Sequence, residues 1–318
     1  MNGVEISRRH YLSSVAPGLR GVRHAAALIG PGSEVLGYDD DVSPDHDFGE
    51  RVQIFRPGHE TVGEFFAAWL GFDPGDGVTV ADWLLTPTQI FASLTRGAVF
   101  HDPDGELARY RAAIAWYPDD VWRYALAAGW LKVSQEEAFV ARTGSTGDDL
   151  GSRVLAGRLV RELMRLAFLV ERRWAPYAKW LGRAFGELSL AARLTAPLKT
   201  AMATESWRER QEMICTAGST LAEATNGLGL CPALDPSPRQ YYTRDIRVLA
   251  ADRFTVALAA EITDPVLLGV IDRVGRRHEI PKLPGTIDQA IDSTDVVGAA
   301  ARFRTAGPLL GLGRPDTA

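Results

Sequence analysis

"GPGSEVLGYDDDVSPDHDFGERVQIF", residues 30–55, is the stretch on which the fold of this chain turns. The apolar run Ala25-Ala26-Ala27-Leu28-Ile29 before it suits a short buried strand. Gly30-Pro31-Gly32 must end that strand. Ser33 then suits the N-cap of a brief helix over residues 33–37. Asp39 to Pro44 reads as loop, and His46 to Phe55 as a second strand. In extended chain, residues i and i+2 project from the same face, so Asp45 and Asp47 point the same way and His46 the other.

Two ionised carboxylates held side by side repel unless a cation sits between them. A divalent ion such as Mg²⁺ (or Mn²⁺) takes hard oxygen ligands and leaves positions open for substrate phosphates. Two such ions about 3.5–4 Å apart clamp the attacking and leaving oxygens of a phosphoryl displacement. Gly32 and Ser33, at a turn into a helix, offer backbone N–H groups and a hydroxyl to phosphate. Turn and capping carboxylates on an exposed edge would supply the same acids. The pairing with Gly32-Ser33 at this spacing favours a metal site at Asp45 and Asp47. His46 is expected to be packed, and Asp39, Asp40 and Asp41 to be solvated. Arg51, further along the same strand, can reach a phosphate or pair with a nearby carboxylate.

Outward from this stretch, residues 78–84 and 98–100 read as further strands, and 12–22, 60–70 and 88–94 as helices. Past Gly105 strand signals nearly vanish. Helical periodicity marks residues 106–116, 119–140, 148–173, 177–193, 205–226, 246–261 and 264–274. The expected fold class is α+β: a small mixed-sheet α/β domain over 1–105, then an all-helical domain over 106–318. Arg158, Arg161 and Arg165 share one helical stripe with Glu162, the pattern of a salt-bridged face. Trp116, Trp122 and Trp130 are expected in the core.

The 318 residues carry a formal net charge of −5, which gives no general attraction to long nucleic acid or to an anionic membrane. Two cysteines are too few for a disulfide framework. The first residues lack the apolar core of a signal peptide, and arginines break the apolar stretch 150–174. A soluble cytoplasmic protein is expected. The chain has no P-loop, no complete dinucleotide fingerprint, no zinc-protease His pair and no Gly-x-Ser-x-Gly elbow.

In its Gly-Ser pair, eleven-residue spacer and Asp-x-Asp, the chain resembles nucleotidyltransferases of the DNA polymerase beta superfamily. It is closer still to a bacterial branch of that superfamily with the motifs GSEVLG-Y/F-D, S-x-DHD-x-G and PY-x-KW. They stand here as Gly32–Asp39, Ser43–Gly49 and Pro176–Trp180. The resemblance covers most of the chain and implies Mg²⁺-dependent transfer of a nucleoside monophosphate from a nucleoside triphosphate such as ATP. It implies that Asp45 and Asp47 bind the metals and that Gly32 and Ser33 bind phosphate. Lys179 would neutralise leaving-group charge from the helical half, unless it is a surface lysine lying along apolar neighbours. The superfamily's third carboxylate matches only Asp82, at the end of the expected 78–84 strand, with Asp102 as fallback. The acidic charge favours a small-molecule or protein acceptor. Two other readings are a catalytically weak nucleotide-binding or regulatory protein on the same fold, and a phosphohydrolase built on His46-Asp47. The second needs helical histidines, and the six in the chain are scattered.

Overall fold

A computed structural model of the chain describes residues 3–39 and 49–312. The class is α+β, with three small antiparallel sheets among many helices in the described residues. Two compact units divide the chain. The first comprises residues 1–116, 176–180 and 291–306, and the second 117–175, 181–290 and 307–318.

The first unit is built on β1 (Ala25–Leu28), every residue of which is buried. It is the middle strand of a sheet ordered β2-β1-β3, with β2 over Gln53–Phe55 and β3 over Ala98–His101. Both pairings are antiparallel, Ala26 facing Ile54 on one side and His101 on the other. The expected sheet was mixed, and this one is wholly antiparallel. Beyond Leu28 the pairing continues through a side chain: the Gln53 amide accepts from Ile29 N at 3.1 Å and donates to Ile29 O at 2.9 Å. Gly30 N then donates to Ser93 O at 2.9 Å, so the end of β1 leaves few backbone groups unpaired.

Helix α1 (Gly3–His10) precedes β1, and α2 (Ser33–Leu36) follows it. Helix α3 (Val62–Leu70) is set by a Thr61–Glu64 capping box and stopped by Gly71 at φ +77°. It buries Phe65, Phe66 and Leu70, with Phe65 edge-on to Phe55 at 5.3 Å. Helices α4 (Val80–Leu85) and α5 (Thr88–Thr95) lead into β3, and α6 (Glu106–Ala113) leaves it. Helix α6 belongs with this unit because Tyr110 packs on Phe66 at 5.3 Å and Arg111 donates to the carbonyls of Thr95 and Arg96. The first unit therefore runs past Gly105 to Trp116.

Several expected elements differ. The 78–84 strand is helix α4: Thr79 and Asp82 form a capping box, and two satisfied N-terminal amides outweigh the β propensity of Val78 and Val80. Of the described part of the expected 46–55 strand, Gln53–Phe55 is the paired stretch. Gly49, at φ +147°, and a bend closed by Arg51 N on Gly49 O precede it, and residues 46–48 lie outside the described residues. Residues 12–22 form a wide turn (Tyr11–Val15) and a 3-10 turn (Ala16–Leu19) instead of one helix, because Pro17 has no N–H to give.

The second unit is helical: α7 (Asp119–Glu136), α8 (Phe139–Gly144), α9 (Asp149–Val170), α11 (Ala191–Ala203), α12 (Trp207–Asn226), α13 (Asp252–Ala260) and α14 (Pro265–Val274). The expected helix over 177–193 is divided: α10 (Ala178–Phe185) ends before α11 (Ala191–Ala203), which carries Pro197 within it. Trp122 and Trp130 are core residues, Trp122 donating to Leu169 O at 2.8 Å and Trp130 stacking on Phe254 at 4.9 Å. Of the arginine stripe, Arg158 pairs with Glu136, Arg161 with Glu162, and Arg165 lies 3.9 Å from Asp288. No described helix is long and apolar enough to cross a membrane.

Candidate functional site

The Gly-Ser pair sits where β1 ends and α2 begins. Gly32 is the residue before α2, at φ +132°, a backbone setting that L side chains rarely adopt. A Cβ there would also lie 2.6 Å from Arg51 Nη2 and from the Glu34 carboxylate. Ser33 opens α2 half-buried, and its carbonyl accepts from Tyr38 N at 2.8 Å. Gly37, at φ +76°, closes this single turn of helix.

Beneath the turn lies an ion pair that the sequence suggested only as an alternative. Glu34 is 1% exposed, and Arg51 reaches it across the sheet end while also donating to Pro31 O at 2.6 Å. Arg51 thus braces the turn from below, with its guanidinium engaged by a carboxylate and a carbonyl. Its buried Nε has no hydrogen-bond partner among the described residues.

Beyond α2 the chain is held by Tyr38 and Arg96. Arg96 donates to Leu36 O at 2.8 Å and to the Tyr38 hydroxyl at 2.9 Å, with its guanidinium 5.3 Å from the Tyr38 ring. On Tyr38 packs Trp180, with ring centroids 5.4 Å apart. Lys179, the neighbour of Trp180, is exposed, and its Nζ lies 4.9 Å from the indole centroid. The segment Pro176–Trp180 is therefore part of the same unit as the Gly-Ser turn, joined to it through Tyr38.

A family model described as a domain of unknown function (DUF4037) matches residues 83–181. This match takes in β3, α6 to α9 and Lys179-Trp180. It does not reach Gly32, Ser33, Asp45 or Asp47. No curated protein and no solved structure matched the chain.

Asp45, His46 and Asp47 lie outside the described residues, as do Asp40 and Asp41. The chain on either side is tied to α1: Asp39 accepts from Gly3 N at 2.7 Å, Gly49 O from the Ser7 hydroxyl at 3.3 Å, and Glu50 pairs with His10 at 3.0 Å. Asp39 is thus a half-buried anchor, not the solvated residue expected. Among the described residues, no group of three or more His, Cys, Asp or Glu could hold a metal ion.

Asp82 is placed by other work. One oxygen accepts from the backbone N and hydroxyl of Thr79 at 2.9 and 2.7 Å, and the other pairs with Arg304. Arg304 in turn lies over the Phe72 ring at 4.9 Å. Asp102 caps α6, accepting from Leu107 N at 3.3 Å and Ala108 N at 3.0 Å. Strand β3, the neighbour of β1 opposite β2, reads Ala-Val-Phe-His and has no carboxylate.

The sequence pointed to Gly32, Ser33, Arg51 and Lys179 but not to Glu34, Tyr38, Arg96 or Gln53. Glu34 carried one usable signal: an acid inside an otherwise apolar helical turn, Ser-Glu-Val-Leu, needs a partner if buried. The partner, seventeen residues away, becomes visible only once β1 and β2 pair.

Proposed function

We propose that the chain is a Mg²⁺-dependent nucleotidyltransferase, moving a nucleoside monophosphate from a nucleoside triphosphate to a small-molecule or protein acceptor. The observation that carries this reading is the strained Gly32-Ser33 turn at the exit of the central strand, braced by the Arg51–Glu34 pair. In the chain, Asp45 and Asp47 fall between that turn and β2, the strand paired with β1. That order is the one a phosphate cradle beside a metal-binding pair needs.

In this reading the N–H groups and hydroxyl at Gly32-Ser33 receive the β- and γ-phosphates. Asp45 and Asp47 hold Mg²⁺, which supplies Lewis-acid stabilisation of the charge that develops in transfer. Lys179, on a segment fixed through Trp180 and Tyr38, offers its ammonium to the departing pyrophosphate. Arg51 acts by holding the turn in shape, because its guanidinium already faces Glu34. The test is pyrophosphate release with Mg²⁺ across a panel of nucleoside triphosphates and acceptors. Asp47→Asn should abolish release while leaving the far-UV spectrum unchanged; release that survives the substitution refutes the assignment.

A second reading, a nucleotide-binding or regulatory protein on the same fold, is favoured by one observation. Strand β3 lacks a carboxylate, and the oxygens of Asp82 and Asp102 are engaged in helix caps and, for Asp82, with Arg304. Asp82 could serve as base only by releasing Arg304. If Asp82→Asn lowers stability by about 1 kcal/mol, the cost of a weakened cap, and leaves turnover intact, Asp82 is structural. Saturable nucleotide binding without turnover across the acceptor panel would establish the second reading.

A further inference from the structure

The opposite end of the same sheet carries a feature that the proposed reaction does not use. There β1 is entered from Arg23 and His24, β2 leaves through Phe55 into Arg56, and β3 leaves through His101 into Asp102. A cavity of about 280 Å³ lies among these strand ends. Ala25, Phe55 and Val62 line it and are buried, which gives it an apolar floor.

Most of its charged lining is engaged. Asp102 caps α6, and Arg23 pairs with Asp104 at 2.7 Å. Arg56 and Glu106 differ. The Arg56 guanidinium meets His59 Nε2 at 2.7 Å, an acceptor only in the uncharged ring, and forms no ion pair among the described residues. Glu106 opens α6, where the helix terminus favours an acid. Glu106 acts on Arg23 through its charge but forms no ion pair within 4 Å among the described residues. Both side chains are half-buried, both line the cavity, and they do not pair with each other.

We propose that this cavity binds a small zwitterion of the free α-amino acid class, with its carboxylate on Arg56 and its ammonium on Glu106. Arg56 presents a planar fork of donors suited to a carboxylate, and the ligand's side chain rests on the Ala25, Phe55 and Val62 floor. Arg56 gains a carboxylate and Glu106 a direct ion-pair partner, and the ligand adds no net charge. A phosphate or dicarboxylate fits worse, because the Asp104 and Glu106 carboxylates would repel its second charge. At about 280 Å³ the cavity lies close to the lower end of the usual range for small-ligand pockets.

The test follows thermal unfolding of the full chain with each of the common free α-amino acids at millimolar concentration. One or a few should raise Tm saturably, with at least tenfold weaker binding in both Arg56→Gln and Glu106→Gln. The decarboxylated amine of the same ligand should bind more weakly than the amino acid and be indifferent to Arg56→Gln, which a merely structural role for Arg56 would not produce. Should Arg56→Gln be poorly folded, Arg56→Lys, which keeps the charge but not the fork, should weaken binding of the acid and not of the amine. No saturable shift with any amino acid, or binding unchanged in both variants, would overturn the proposal. Because Asp45 and Asp47 take no part, Asp47→Asn should leave this binding intact, whatever becomes of nucleotide turnover.

Discussion

Gly32 carries two constraints at once: a φ of +132°, and a Cβ there would push the ends of the Arg51 and Glu34 side chains out of their pair. Gly32→Ala should therefore destabilise the protein by about 1–3 kcal/mol, read from urea unfolding, whereas an alanine at Gly18, with open space around it, should not. A different kind of stress sits at Glu137. Burial lifts this carboxyl to about 7, although the amides of Ala251 and Leu249, at 3.0 and 2.7 Å, pull it down. Those amides flank Ala250, held at φ +56°. Because the folded value lies above the unfolded one, this group's stabilising contribution is fully present below about pH 4.5. It is lost as pH rises through about 7. Unfolding free energy should fall by about 1–3 kcal/mol across that window. Glu137→Gln should flatten the trend; an unchanged pH profile in the variant would assign the effect elsewhere.

Among the elements, those announced by side-chain chemistry were the legible ones. Helix α3 has a capping box and a terminal glycine, and α9 and α14 open on Asp148 and Asp264, which accept from the first free amides. At α4 the strand-like alternation of Val78-Thr79-Val80 misled, although Thr79 and Asp82 form the cap that makes it a helix. The brevity of β2 was hidden because pairing beyond its first residue, Gln53, is made by that residue's side chain, which no periodicity registers. Gln53→Leu should leave the N–H and C=O of Ile29 unpaired and buried, at a cost of about 2–4 kcal/mol in unfolding free energy. A loss under about 0.5 kcal/mol, the usual range for a surface change, would mean that the amide bridge contributes little.

For the molecule as a whole, the α+β class and the helical later part were readable from the loss of strand signals past Gly105. The extent of the first unit was not. Its later pieces, Pro176–Trp180 and Ile291–Ala306, are joined to it by Tyr38–Trp180 packing, by Arg304 on Asp82 and by Gln89 on Val297 O at 3.2 Å. These partners are more than a hundred residues apart in the chain and leave no local pattern. Of the candidate site, the Gly-Ser turn was legible because glycine is needed at its φ. The Arg51–Glu34 brace required the β1–β2 register, and the metal-binding role of Asp45 and Asp47 rests on chemistry and spacing. Calorimetric titration of a non-hydrolysable nucleoside triphosphate, with Mg²⁺ and with the metal chelated, addresses that role most directly. Binding that requires Mg²⁺ and weakens at least tenfold in both Asp45→Asn and Asp47→Asn is the predicted result; equal affinity without the metal, or in either variant, would contradict it.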